Sequence, residues 1–175
     1  MSHVEKITGE LRALTAGVER ARGLTGAAHK QAQEVALRAA GAGFAAVAAG
    51  MVRVQGAISD VQGGLGGLAT SIAEAAKLTS GVPQRATPEE TIAGLAPVQK
   101  AVEAARDATA GTIARIGEAQ QLATLVLQGG QPGPLLSALE NVKQVLTLVV
   151  QRTGTARQSV EVAIAEARQL GSSGG

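Results

Sequence analysis

The sequence predicts an all-α protein in which four long antiparallel helices form two tandem helical hairpins and pack as a four-helix bundle with heptad-type packing. Apolar residues recur at steps of three and four over long stretches, which is the period of helices packed lengthwise against each other. Glycine-rich segments separate these stretches. The chain has one Phe and no Trp or Tyr, so we expect a core of small side chains that suits closely spaced helices.

The clearest pattern lies on the second predicted helix, between Val47 and Ala75. We call the stripe of apolar positions along a helix its seam. Here the steps alternate between four and three over about four heptads, which predicts burial along the whole stripe. The seam residues are Val47, Met51, Val54, Ile58, Val61, Leu65, Leu68, Ile72 and Ala75.

The first predicted helix runs from about Ser2 to Ala40, with a seam from Val4 to Ala39. Ser2 followed by Glu5 three residues later fits a capping box. Two glycines within residues 41–43 then favour a turn, because glycine is costly inside a helix. We therefore expect an antiparallel hairpin. The alternative is one continuous helix to about residue 78, which would leave its seam exposed.

The second helix contains four glycines beside two seam residues. They indicate either a local weak point or a position where another helix packs close to the backbone. On the second interpretation they are candidate contact residues. The glycines are Gly63, Gly64, Gly66 and Gly67.

The third predicted helix begins at Pro88, after a linker over residues 80–86. Thr87 at the N-cap, Pro88 at the first helical position and Glu90 two residues further on are each typical of a helix start. The helix is expected to reach about Gln128. Pro97 lies inside it and is expected to kink or restart it.

The fourth predicted helix begins near Pro134, after a second turn that starts at Gln128. Its seam extends from Leu135 to Leu170. Val145 and Leu148 flank this seam and widen its apolar face, as in a centrally buried or self-associating helix. The predicted organisation is a hairpin over residues 1–79, the linker, a second hairpin over residues 87–171 and a flexible tail over residues 172–175.

The sequence contains no pattern that indicates catalysis, a cofactor or a metal. The two histidines, His3 and His29, lack a carboxylate at helical spacing, and there is no cysteine. The neighbouring acids Glu89 and Glu90 fit a helix N-terminus, and the pair Glu103 and Asp107 lies off the seam. We therefore expect a protein that is not an enzyme and binds no cofactor or metal.

The charge pattern bears on the class of partner. The net charge is +2, from 16 basic and 14 acidic side chains of interspersed sign. A nucleic-acid partner is not expected, because there is no basic run and almost no aromatic side chain for base stacking. A membrane partner is not expected either. No secretory signal peptide or apolar span is visible, so a cytoplasmic protein is expected, with leaderless export as the route if it is secreted.

Candidate contact residues follow from bulk and position. Phe44 and Met51 are the bulkiest apolar residues near the first turn, and they either cap the end of the core or form an exposed knob for a partner. Phe44 and Met51, the four glycines of the second helix, and Val145 and Leu148 together form the predicted contact set. The set is Phe44, Met51, Gly63, Gly64, Gly66, Gly67, Val145 and Leu148.

The segment from Gly41 to Met51, with Phe44-Ala-Ala after the glycine turn, resembles the WXG100/ESAT-6 superfamily of small actinobacterial helical hairpins. The resemblance covers residues 1–80. It implies dimeric four-helix assemblies without catalysis that serve export or scaffolding in type VII secretion, and two hairpins in one chain would resemble a fused dimer. The chain has no Trp-x-Gly at the turn and, lacking Tyr, no Tyr-based export signal.

The function expected from these features is that of a non-enzymatic helical interaction or scaffold protein, with a protein partner or a second copy of itself. One alternative is a self-assembling structural protein whose helix seams are completed between chains. Another is an amphipathic helical protein that binds a lipid surface. Solution mass and association with vesicles distinguish these alternatives.

Overall fold

A computed structural model describes residues 2–128, 130 and 133–174, and it confirms the all-α fold. Within the described residues there is no strand. None of the helices there combines the length and the apolar character needed to cross a membrane. The helices are α1 (His3–Gly41), α2 (Ala45–Ser80), α3 (Pro88–Val126) and α4 (Gly133–Ser173).

The four helices form a square bundle in which each helix contacts two neighbours. α1 and α3 each pack against both α2 and α4, whereas the diagonal pairs do not meet within the described ranges. Because α2 packs against α3 and α1 against α4, the two predicted hairpins share a single core. The hairpins are therefore halves of one bundle.

The seams form that core, as the heptad spacing predicts. On α2 every seam residue from Met51 to Ala75 is at most 1% exposed, while Val47 is partly buried. Buried threonines such as Thr25 and Thr109 satisfy their hydroxyls by donating to the carbonyl four residues earlier, at 2.7 Å. The prediction that Leu170 is a buried seam residue is wrong. Its side chain is 61% exposed, because it lies beyond the last buried turn of α4.

The α1–α2 turn confirms the hairpin and excludes the continuous helix. Gly43 has a φ of 84°, a left-handed conformation that glycine adopts without steric cost. The Phe44 N–H donates to the Ala39 carbonyl at 2.9 Å, and the Gly43 N–H donates to the Ala40 carbonyl at 3.2 Å. This pair of bonds is a Schellman motif, which ends α1 and lets the chain reverse.

Capping boxes begin α1 and α3, as predicted. The Ser2 hydroxyl accepts from the Glu5 N–H at 3.1 Å, and the Ser2 N–H donates to the Glu5 carboxylate at 2.8 Å. Thr87 and Glu90 make the equivalent bonds at 3.2 and 2.9 Å. These bonds satisfy amide groups that would otherwise lack partners at a helix start.

Three predictions, about Pro97, the C-terminal tail and the linker, need correction. α3 continues through Pro97 without a restart, since both Pro97 and Ala93 are exposed and water can bind the carbonyl that the proline leaves without a donor. The predicted tail is helical at residues 172 and 173, where Ser173 donates to the Gln169 carbonyl. The linker also contributes to the core, because Val82 is 7% exposed.

The second predicted turn, over residues 128–134, lies partly outside the described residues, which lack 129, 131 and 132. The tail residue Gly175 lies outside them as well. α3 ends at Val126, and the N–H of the next residue, Leu127, donates to the Ala123 carbonyl. α4 begins at Gly133, one residue before the predicted start.

The bundle has two distinct ends. We call the end with the α1–α2 turn the turn end; α3 finishes and α4 starts there too, as shown by the Gln120 side chain donating to Glu140 at 3.0 Å. We call the other end the linker end. It contains the start of α1, the linker and the end of α4, where Gly171 lies against Pro88.

Candidate interaction surface

A groove follows the outer side of the contact between α1 and α4. We call it the α1–α4 groove; its volume is about 340 Å³. Its floor is apolar, with small side chains on α1 and larger ones on α4. The lining residues are Ala13, Ala16, Gly17, Arg20, Val145, Leu148, Val149 and Arg152.

The groove exists because α1 carries small residues where it meets α4. A Cβ on Gly17 would lie 2.9 Å from a Val149 methyl carbon, which is closer than carbon atoms pack. The two backbones therefore approach closely at this level. Leu148, one position before Val149, is left 55% exposed on the rim.

Two arginines provide the charge of the groove. Arg20 lies on the α1 side and Arg152 on the α4 side. Within the described part of the chain neither has a carboxylate within 4.0 Å. The groove thus combines an apolar floor with two arginines that make no ion pair within 4.0 Å in the residues that the structure describes, a combination that suits an apolar segment flanked by acidic residues.

Polar contacts join α1 to α4 below the groove, towards the linker end. His3 contacts Glu166, and the Ser159 hydroxyl donates to Glu10 Oε1 at 2.9 Å. The other carboxylate oxygen of Glu10 is buried and has no hydrogen-bond partner in the described residues. These two pairs hold the α1–α4 contact in register. The spacing of residues within one helix could not reveal the pairs, because the two residues of each pair lie about 150 positions apart in the sequence.

A second exposed apolar surface lies at the turn end. Residues 39–52 contain no polar side chain, and most of them are exposed. We call this segment the apolar tip. Phe44 is its most prominent group, 64% exposed at the N-cap of α2, and Val52 is 61% exposed. Leu37 and Leu125 lie at the same end and are 66% and 64% exposed.

The predicted contact residues separate into core and surface. Met51 is fully buried and packs in the core, so it forms no exposed knob, and its other interpretation as a core residue remains. Val145 is 7% exposed and also packs in the core, as in a centrally buried helix, while it lines the α1–α4 groove. Phe44 and Leu148 are exposed. Phe44 therefore does not cap the core, which is the other interpretation of that residue.

The four glycines of α2 also differ from one another. Gly64 is the position where another helix packs close, since a Cβ there would lie 2.6 Å from Thr112 Oγ1 on α3. A Cβ on any of the other three would have no neighbouring atom within 4 Å, so they lie free of close helix contacts. Gly50 is a close contact that spacing did not indicate, because its Cβ would lie 2.6 Å from a Val126 methyl.

The described residues hold no group of three potential metal ligands. Glu103 lies 3.6 Å from Arg157, which also pairs with Glu161 at 2.9 Å. The backbone and hydroxyl of Ser2 lower the pKa of Glu5, with the backbone hydrogen bond as the larger cause. These contacts are those of helix caps and surface ion pairs.

Comparison with known proteins finds one family. Residues 86–172 match a family of unknown function (DUF6244). The match covers the second hairpin, from the cap of α3 almost to the end of α4. No curated protein and no solved structure is similar enough to match the chain.

Proposed function

We propose that this chain is a non-enzymatic helical interaction and scaffold protein whose α1–α4 groove binds a helix of a partner protein. The observation that supports this most is that the seams are closed within one chain while an apolar groove remains open outside them. Residues not needed for the core, above all Leu148, are thus available to a partner.

The chemistry of the groove describes the partner. A helix that lies along it would place small or branched apolar side chains against Ala13, Ala16 and Leu148. Acidic side chains one turn to either side would meet Arg20 and Arg152. An amphipathic helix with an apolar stripe and acidic flanks has these properties, and such helices commonly bind in grooves.

The likeness to WXG100 proteins extends the proposal to type VII secretion. The features that support it are a hairpin with a glycine turn at residue 43, Phe44 directly after it, and two hairpins that share one core as a fused dimer would. Under this proposal the protein is made in the cytoplasm and exported without a leader. It should appear in culture filtrate and disappear from it when the secretion ATPase is deleted; retention in cells of both strains contradicts export.

Site-specific crosslinking in the producing organism tests the groove itself. A photoreactive residue at Leu148 should give a discrete adduct with another protein, because this side chain lies on the groove rim. The matched control places the same residue at Leu125, which is exposed to a similar degree on α3. Absence of an adduct at Leu148, or the same adducts from both positions, would contradict a groove-binding partner.

The same experiment addresses self-assembly. Seams completed between chains have little support, because all predicted seam residues except Leu170 are already buried or partly buried within the chain. Assembly would have to use the exposed surfaces. An adduct at Leu148 between two copies of the chain would therefore identify the groove as a self-association site and replace the proposed partner.

A further inference from the structure

The apolar tip differs from an ordinary helix–helix turn. Turns are usually rich in polar residues because they face water. Here fourteen consecutive residues lack any polar side chain, and residues 40–46 are all exposed. Phe44, the single aromatic residue of the protein, projects at its end. Exposed apolar surface of this extent is typical of a contact site.

The two ends of the bundle differ in charge. At the linker end the last two turns of the helices carry many ionisable groups, including His3, Glu5, Lys77, Glu90 and Arg168. At the turn end no charged residue occurs within residues 39–52 or within residues 119–139. The balanced net charge of the whole chain conceals this separation, which only the fold reveals.

Arginines flank the apolar tip on both sides. Arg38 precedes it on α1 and Arg53 follows it on α2, and both are exposed. Neither has a carboxylate within 4.0 Å in the described ranges. At 1.5 Å per residue the end of α1 lies about 5 Å beyond Arg38, and the start of α2 lies about 12 Å beyond Arg53.

The start of α2 adds hydrogen-bond donors to the tip. Unlike α1 and α3, α2 has no side-chain cap, and Phe44 occupies its N-cap. The first amide groups of the helix therefore point out of the tip without a side-chain acceptor. The partial positive charge of a helix N-terminus favours a negative group at this place.

We propose that the apolar tip inserts into the headgroup region of a membrane surface that carries anionic lipids. Phe44 and the exposed alanines enter the boundary between headgroups and acyl chains, and Arg38 and Arg53 bind lipid phosphates. The end of α1 lies about 5 Å beyond Arg38, within the depth of about 5–10 Å to which surface-bound helices bury their apolar face. Arg53 lies about 12 Å from the start of α2, just outside that depth, and its long side chain can extend to the phosphates.

A lipid surface fits the tip better than a protein pocket does. Protein interfaces carry about one hydrogen bond per 100–200 Å², and the side chains of the tip can make none. A fluid acyl region requires no such bonds, while the phosphates accept from the α2 amides and the arginines. The groove between α1 and α4 stays free of the membrane, so this proposal is independent of the partner proposed above.

Flotation of the full chain with vesicles tests the proposal. Vesicles of phosphatidylcholine with about one third phosphatidylglycerol supply the anionic surface, and pure phosphatidylcholine is the reference. The chain should float with the anionic vesicles and much less with the reference. Phe44→Asp should lower partitioning at least about tenfold, and Arg38→Gln and Arg53→Gln about fivefold each.

The matched control is Leu170→Asp, which changes an equally exposed apolar residue at the linker end. It should leave partitioning unchanged, and circular dichroism should show that all variants keep the wild-type fold. The proposal is overturned if the wild-type chain does not float, or if Leu170→Asp weakens flotation as much as Phe44→Asp does. The proposal is also overturned if the wild-type chain forms a dimer in solution that Phe44→Asp dissociates, because the tip would then bind a second copy.

Discussion

At the scale of single residues, burial along each helix changes sharply within two positions. Leu146 is fully buried, whereas Leu148 on the same helix is 55% exposed. Both residues are leucine. A difference between the effects of replacing them therefore reports burial in the core and not residue type. The same logic applies to Gly63 and Gly64, which are adjacent in sequence but face solvent and α3 respectively.

Replacing Leu146 by Ala should lower the free energy of unfolding by about 2–5 kcal/mol, because it removes buried carbon atoms and leaves a cavity. Chemical denaturation measures this change. Leu148→Ala is the matched control and should alter stability by less than about 0.5 kcal/mol. Similar effects at the two positions would mean that the seam of α4 is not oriented as described.

Replacing Gly64 by Ala should destabilise the protein by about 1–3 kcal/mol. The new methyl would lie 2.6 Å from Thr112 Oγ1, whose hydroxyl donates to the Ala108 carbonyl and cannot turn away without losing that bond. Gly63→Ala has free space and should instead stabilise the helix by about 0.5–1 kcal/mol. Thermal melts of both variants measure these changes. The melting temperatures should change in opposite directions, and changes in the same direction would contradict the close α2–α3 contact.

At the scale of whole helices, local signals fix where each element starts, and tertiary packing decides whether it continues. The capping boxes at Ser2 and Thr87 start α1 and α3 where the sequence predicts them. Pro97 is predicted to kink or restart α3, but the helix does not restart there, and Leu95 and Val98 on either side are buried in the core. Their packing keeps the helix continuous across the missing hydrogen bond.

Pro97→Ala should therefore stabilise the protein. The alanine N–H can donate to the Ala93 carbonyl, and proline inside a helix is about 3 kcal/mol less favourable than alanine. Part of this gain is offset, because proline also restricts the unfolded chain by up to about 1 kcal/mol. We expect a net rise of about 1–2 kcal/mol in urea denaturation. Pro83→Ala in the linker is the control and should give no gain; a loss of stability at Pro97→Ala would contradict the continuous helix.

The cap of α1 should respond to acid. Hydrogen bonds from Ser2 lower the pKa of Glu5, so its ionised form stabilises the folded state. This contribution is complete above the ordinary pKa of a glutamate and is lost as the pH falls through the lowered value. The difference in unfolding free energy between wild type and Glu5→Gln should thus be present at neutral pH and vanish in acid. A difference that does not change with pH would contradict the role of the carboxylate.

At the scale of the whole molecule, heptad spacing predicts most core residues, and the glycine turns and helix caps predict the four helices and their antiparallel order. The seams are readable because a residue repeating at three and four positions must face one side of a helix. Val145 flanks the α4 seam and is buried all the same, because spacing alone does not show how wide the buried face of a helix is. Leu170 is exposed although it continues the pattern, because it lies beyond Ala167, the last buried residue of α4.

The candidate surfaces are less predictable. Contacts such as Ser159 with Glu10 and Gly17 with Val149 depend on which helices are neighbours, and spacing within one helix carries no such information. The charge difference between the two ends is also hidden, because a count of charges ignores position in the fold. Phe44 stands out in the sequence by its bulk, but its exposure follows only from the Schellman turn that precedes it.

The central claim is that one chain closes its own four-helix core and leaves the groove and the apolar tip outside it. The most direct test measures sedimentation mass and melting temperature together over a hundredfold range of protein concentration. We expect a mass of 17.4 kDa and one cooperative transition whose midpoint does not depend on concentration. A midpoint that rises with concentration, together with a multiple of this mass and no folded monomer at the lowest concentration, would show that the core closes only between chains and would contradict it.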